Sequence, residues 1–189
     1  MEMIKTFLKR LNSDEIEYVH WKSNTNIEQA LLGVDDLDIL VNPKHQQKLE
    51  NVFKELNFVR ALSSKDKWQN GITHYLGIDI PTKKNVHVHL HYKLSLGYDY
   101  DKCFTLPIVE NYLKSRTNYN NKVFLPTYEN EYCILVIRLI LKNAFTPFLL
   151  MLPHRQLALF KQAKSKGVVK GGGYREFLDL KSKVNPAEL

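Results

Sequence analysis

The stretch Asp35-Asp36-Leu37-Asp38-Ile39-Leu40-Val41 joins a group of carboxylates to a run of apolar residues that favour β-structure. We predict a strand over 37–41. Alternate side chains of a strand point to opposite faces, so Asp36 and Asp38 project together while the apolar residues between them face a core. Two carboxylates at this spacing suit a hard divalent cation such as Mg²⁺ or Mn²⁺. The alternative is an acidic turn before a strand, and Asp35, which has the opposite parity, is assigned to such a turn.

The composition is typical of a globular protein with an anionic partner. The chain has 189 residues, 44% hydrophobic and 25% charged, which suits one large domain or one domain with an appendage. Its formal net charge of +7 favours nucleotides or phosphorylated sugars as partners. The lysines are scattered rather than clustered, so nucleic acid is not indicated.

Cysteine usage and hydropathy predict a cytoplasmic location. Cys103 and Cys133 lack the spacing of metal ligands, which fits a reducing compartment. Residues 1–11 lack the apolar core of a signal peptide. The apolar run 133–141 contains Arg138 and is too interrupted for a membrane span. A homo-oligomer and a place in a larger polypeptide both stay open.

Hydrophobic periodicity divides the chain into a mixed half and a helical half, and the predicted fold class is α+β. Helices are expected over 4–11, 26–32, 43–56, 127–145, 155–166 and 174–183. Strands are expected over 18–21, 37–41, 58–62, 72–80, 86–92 and 123–125, with 72–80 and 86–92 paired. Thr25 is expected to cap the second helix, and 171–173 to form a glycine linker. The predicted domains are an α/β domain over 1–105 and a mainly helical domain over 106–189.

A turn between the first strand and the second helix is a candidate phosphate site. It consists of Lys22, Ser23 and Asn24. The backbone N–H groups of such a turn and the helix N-terminus after it face an anion, and Lys22 adds a positive charge. The alternative is an ordinary capped turn.

Three segments together resemble the nucleotidyltransferase fold of the polymerase-beta-like superfamily, and more narrowly a bacterial group of uncharacterised nucleotidyltransferases. They are Trp21-Lys22-Ser23, Asp36-Leu37-Asp38-Ile39-Leu40-Val41 and Val88-His89-Leu90-His91-Tyr92. The resemblance covers about residues 15–95 and implies a small mixed sheet flanked by helices, followed by a helical appendage. It implies metal-dependent transfer of a nucleoside monophosphate from an NTP to the hydroxyl of a small molecule or sugar. It also implies that Asp36 and Asp38 bind the metal, and that Lys22, Ser23 and Asn24 lie against the triphosphate.

The sequence departs from this family at its third metal-binding carboxylate, whose position is taken by His89. His87, His89 and His91 alternate with apolar residues and so share one strand face. Three interpretations stay open. The histidines bind a softer ion such as Mn²⁺, Zn²⁺ or Ni²⁺ with the aspartates; His89 is a general base beside a single metal; or the domain binds a nucleotide or phosphosugar without chemistry. Asp79, in the preceding strand, replaces the third carboxylate only if its register turns it to the same face.

Two further points concern the substrate. Arg138 and Lys142 are four residues apart on one helix face, either reaching a phosphate or lying at a solvated helix edge. A phosphotransferase related to kinases, acting on a sugar or an antibiotic, is a third class that the motifs do not separate from nucleotidyl transfer.

Overall fold

The fold is mixed α+β, as predicted. A computed structural model describes residues 1–62, 71–98, 101–143, 172–185 and 187. The helices are α1 (Glu2–Ser13), α2 (Ile27–Leu31), α3 (Gln46–Glu55), α4 (Val109–Lys114), α5 (Tyr128–Asn143) and α6 (Gly172–Lys183). The strands are β1 (Tyr18–His20), β2 (Leu37–Val41), β3 (Val59–Ala61), β4 (Ile72–Asp79), β5 (Lys84–His91), β6 (Leu94–Tyr98), β7 (Asp101–Leu106), β8 (Thr117–Tyr119) and β9 (Val123–Leu125). The helix predicted over 155–166 lies outside the described residues.

A five-stranded mixed sheet organises the first half of the chain. Its strand order is β1-β2-β5-β4-β3. Strands β2 and β5 are parallel, with Asp38 beside His89, and the other neighbours are antiparallel. The predicted pairing of 72–80 with 86–92 is confirmed by the β4–β5 ladder. The remaining described strands form two separate two-stranded sheets, β6–β7 and β8–β9.

One face of the sheet packs on α1 and α3 and forms the first core. The helix α1 has apolar side chains at helical spacing, all of which are buried: Ile4, Phe7, Leu8 and Leu11. The β2 residues that alternation assigned to a core lie there too: Leu37, Ile39 and Val41. Phe53 of α3 stacks on Tyr75 of β4, with ring centroids 3.7 Å apart.

Among the described residues, a second core covers the β1 end of the opposite face. Leu40 and Trp21 pack there against Tyr112 of α4 and Ile134 of α5. The Tyr112 hydroxyl donates a hydrogen bond of 2.9 Å to the Trp21 carbonyl oxygen.

Residues on both sides of position 105 contribute to both cores. Val123 of β9 belongs to the first core, and Tyr112 belongs to the second. Among the described residues, no helix is long and apolar enough to cross a membrane.

Two local predictions differ from the structure, and the β6–β7 hairpin was not foreseen. Thr25 does not cap a helix, because Ser23 adopts a left-handed backbone (φ 61°) and a 3-10 turn over Asn24–Asn26 precedes α2. Helix α6 begins at Gly172, so two of the three glycines assigned to a linker are helical. The β6–β7 hairpin was not predicted; its strands pair with each other rather than with the main sheet.

Candidate functional site

Two aspartates and two histidines predicted for the site meet on one face of the sheet. The β2–β5 register places His89 beside Asp38, and Asp36 immediately precedes β2. The Nδ1 atom of His87 is 2.9 Å from Asp36 Oδ1, and Nδ1 of His89 is 3.3 Å from Asp38 Oδ1. The Nε2 atom of His89 is 3.5 Å from Asp36 Oδ2. The parallel pairing of β2 and β5 therefore sets each imidazole beside a carboxylate.

Asp38 is the buried member of the aspartate pair, and the positive charge of Lys22 lies beside its carboxylate. Its side chain is 9% exposed, and its Oδ1 atom lies 2.7 Å from Lys22 Nζ. Burial raises the pKa of a carboxyl group, but the hydrogen bond with His89, the nearby imidazole of His91 and the charge of Lys22 outweigh it and hold the pKa of Asp38 well below its ordinary value. Asp38 is therefore ionised at neutral pH. Asp36 is 41% exposed and faces outward.

His91 lies at the inner end of the same face, away from the other two histidines of β5. Its Nε2 atom is 3.6 Å from Asp38 Oδ1, and its ring meets the Trp21 ring edge-on at 5.0 Å. Burial lowers the pKa of His91 to about 4. The imidazole is therefore neutral at pH 7. It packs against Trp21, which belongs to the second core.

His74 belongs to the site although the sequence analysis did not select it. It is the direct cross-strand partner of His89 in the β4–β5 ladder. Its Nδ1 atom lies 3.2 Å from His87 Nε2, and its ring centroid is 4.5 Å from that of His89. Burial is the largest cause that lowers the pKa of His74. The charges of the neighbouring His89 and His87 lower it further. We name His74, His87 and His89 the histidine cluster; their ligand nitrogens lie within 4.8 Å of one another.

A cavity of about 230 Å³ opens beside the histidine cluster and has a cationic lining. Its walls include Trp21, Lys22, His74, His89, Lys102 and Arg138. Lys22 Nζ and the Arg138 guanidinium lie 5.5 and 5.8 Å from the Trp21 ring centroid. Small-molecule pockets usually measure about 300–1,000 Å³, so this cavity on its own has room for a phosphate group. Arg138 thus lines the cavity in the described structure.

The predicted phosphate turn already binds two carboxylates of the same chain. The backbone N–H of Ser23 donates to Glu176 Oε1 at 2.8 Å, and that of Asn24 donates to Glu131 Oε1 at 3.1 Å. The two glutamates, which we name the glutamate pair, belong to α6 and α5 and are buried. Burial raises the pKa of Glu131 to about 7 and also raises that of Glu176. In the described structure the N–H groups of this turn are therefore hydrogen-bonded to two acidic side chains of the same chain.

The two remaining acidic candidates lie elsewhere. Asp79 is on the opposite face of β4, where its carboxylate accepts hydrogen bonds from the Met3 N–H at 2.7 Å and the Thr82 hydroxyl at 2.6 Å. It does not supply a third carboxylate. Asp35 accepts a bond of 2.9 Å from the Asp36 N–H, as a turn residue does.

Comparisons with protein-family models, with curated proteins and with solved structures find no match to this chain. The resemblance to nucleotidyltransferases therefore rests on the sequence motifs alone.

Proposed function

We propose that this protein is a metal-dependent nucleotidyltransferase that moves a nucleoside monophosphate from an NTP to a hydroxyl of a small molecule or sugar. The observation that carries the proposal is the meeting of Asp36, Asp38 and His89 beside a cavity lined by Lys22 and Arg138. A nucleotidyltransferase-like sheet with a helical appendage is part of the same proposal. The site residues support the proposed activity, since a fold alone does not specify an activity.

The two aspartates provide some, but not all, of the oxygen ligands that a hard divalent ion prefers. Asp36 is accessible, whereas Asp38 shares its charge with Lys22, and the third position offers imidazole instead of oxygen. These residues would hold one Mg²⁺ or Mn²⁺ ion more readily than two. Such an ion, when bound, supplies positive charge to the phosphate oxygens of the substrate.

The chain's own groups account for binding and proton transfer. Lys22 and Arg138 bind phosphate oxygens in the cavity. His89 accepts the proton of the acceptor hydroxyl on a ring nitrogen, since a neutral imidazole carries one nitrogen that can accept a proton. The acceptor oxygen then bonds to the α-phosphorus, the bond from that phosphorus to the bridging oxygen breaks, and pyrophosphate leaves.

Calorimetric titration with each NTP, in Mg²⁺, in Mn²⁺ and without metal, tests the binding half of this proposal. We expect metal-dependent binding that is lost in the Asp36→Asn/Asp38→Asn double variant. Asp35→Asn is the matched control, because it removes a neighbouring charge from outside the site. Absence of metal-dependent binding to the wild type would overturn the proposal.

A second candidate, a module that binds a nucleotide or phosphosugar without chemistry, is favoured by two observations. His89 replaces the third carboxylate, and the glutamate pair occupies the turn donors. Incubation with NTPs labelled at the α- or γ-phosphate and a panel of sugar acceptors separates the classes. Transfer of the α-label indicates a nucleotidyltransferase, and transfer of the γ-label a phosphotransferase. Binding with neither transfer indicates the binding module.

A further inference from the structure

The histidine cluster has the construction of a metal site whose ligands are imidazole nitrogens, with the aspartate pair beside it. His74 and His89 face each other across antiparallel strands, and His87 lies two residues before His89 on the same face. All three side chains are half-buried. A hydrogen-bonded sheet holds these positions more rigidly than a loop would, which favours a defined ligand geometry.

One distance within the cluster matches the ligand separation of a tetrahedral ion. Zinc binds imidazole nitrogen at about 2.0–2.1 Å, so two ligands of a tetrahedral site lie about 3.3 Å apart. His74 Nδ1 and His87 Nε2 are 3.2 Å apart. The third nitrogen of the cluster completes a set within 4.8 Å, close enough for all three to reach one ion after small side-chain rotations.

Carboxylates orient two of the three imidazoles. Asp36 lies at 2.9 Å from Nδ1 of His87, the nitrogen that points away from His74. Asp38 lies at 3.3 Å from Nδ1 of His89. In protein metal sites a ligating histidine almost always donates its other N–H to such a partner, which fixes the tautomer and makes the free nitrogen a better ligand.

The cluster leaves room for an exogenous ligand. His74 and His89 line the 230 Å³ cavity, whose walls also carry Lys22 and Arg138. Three protein ligands and one open position distinguish catalytic from structural zinc sites. An anion held by the two cationic side chains lies within the same cavity as the open side of the cluster.

We propose that His74, His87 and His89 bind one borderline divalent ion, with Zn²⁺ the best fit, and leave a coordination position open toward the cavity. Imidazole nitrogen suits such ions, whereas Mg²⁺ prefers oxygen. The inference goes beyond the proposed function and shares with it His89, the cavity and the two aspartates, which here orient histidines instead of binding the ion. Metal binding is therefore measured directly, without nucleotide.

The test is titration of the chelator-treated full chain with Co²⁺, followed by visible absorption, and then displacement of Co²⁺ by Zn²⁺. We expect one ion per chain and the intense absorption of tetrahedral cobalt. His74→Ala is expected to weaken binding by more than about 100-fold, because changing even an orienting partner costs about 10–100-fold, the loss expected for Asp36→Asn. His45→Ala is the matched control, since this histidine precedes α3 and lies outside the cluster.

Each outcome decides the inference. Equal affinity in the wild type and in His74→Ala, or an octahedral cobalt spectrum, would overturn it and assign the metal to the aspartates. Circular dichroism checks the fold of each variant, and His74→Gln, which keeps the side-chain volume closer, replaces His74→Ala if the latter unfolds. Zinc binding without nucleotidyl transfer would refute only the proposed function, and transfer with Mg²⁺ in a chain that binds no Zn²⁺ would refute only this inference.

Discussion

Replacing Glu131 by glutamine tests the glutamate pair through the pH dependence of folding stability. The Glu131 residue is 4% exposed, and burial raises its pKa from an ordinary 4.5 to about 7. Between these values the unfolded chain has lost this proton while the folded chain keeps it, so the folded state binds more protons. The contribution of Glu131 to stability therefore falls as the pH rises from 4.5 to about 7.

The magnitude follows from the two pKa values. At about 1.4 kcal/mol per pH unit, the difference between 4.5 and about 7 corresponds to about 3 kcal/mol lost over the whole window. About 2–3 kcal/mol of this falls between about pH 5 and pH 8. Glutamine cannot ionise, yet its amide oxygen can still accept the Asn24 N–H bond. Relative to the wild type, Glu131→Gln is therefore expected to gain about 2–3 kcal/mol in stability over the same interval.

The assay is urea unfolding of both proteins across that pH interval, followed by circular dichroism. Burial lowers the pKa values of His20 and His91, which makes their contributions to stability rise with pH, so the wild-type curve alone mixes opposite trends. The difference between wild type and variant removes these shared terms. Glu110→Gln, at an exposed glutamate of α4, is the control. A difference that stays flat across the interval would refute a buried Glu131 carboxyl.

Three further predictions concern the second core and the cavity. Tyr112→Phe removes the hydrogen bond to the Trp21 carbonyl and is expected to cost about 1–2 kcal/mol in urea unfolding; unchanged stability would show that the bond contributes nothing. Leu40→Ala, at a fully buried side chain, is expected to cost about 3 kcal/mol in the same assay, and a cost below about 1 kcal/mol would contradict a packed second core. Lys22→Met removes a charged donor beside Asp38 and is expected to weaken calorimetric NTP binding about tenfold or more at low salt; undiminished binding would remove Lys22 from the phosphate site.

Local periodicity was sufficient to predict the strand that carries the aspartates. The two-residue repeat of β2 places Asp36 and Asp38 away from the core-facing Leu37 and Ile39, because strand side chains alternate whatever lies around them. The amphipathic repeat of α1 and the hairpin of β4 and β5 were accessible for the same reason. His87 and His89 were placed near the aspartates only by assuming that β5 neighbours β2, which the parallel ladder confirms.

Only the register between β4 and β5 shows which histidines form the cluster. His74 was visible in the sequence, but a slip of one residue in the β4–β5 pairing would have turned it to the opposite face. The same uncertainty left Asp79 as a candidate, and the actual register places it against α1. His91 shares the strand face of His89, yet the packing of Trp21 encloses it at the inner end.

By itself the sequence determined the α+β class, the aspartate pair and the turn at Lys22–Asn24, all of which depend on residues a few positions apart. Only the tertiary structure decided what the turn binds. Glu131 and Glu176 reach its N–H groups from 107 and 153 residues along the chain. No short repeat encodes a contact over such separations, because it forms only when burial of the apolar faces of the sheet and helices brings these segments together.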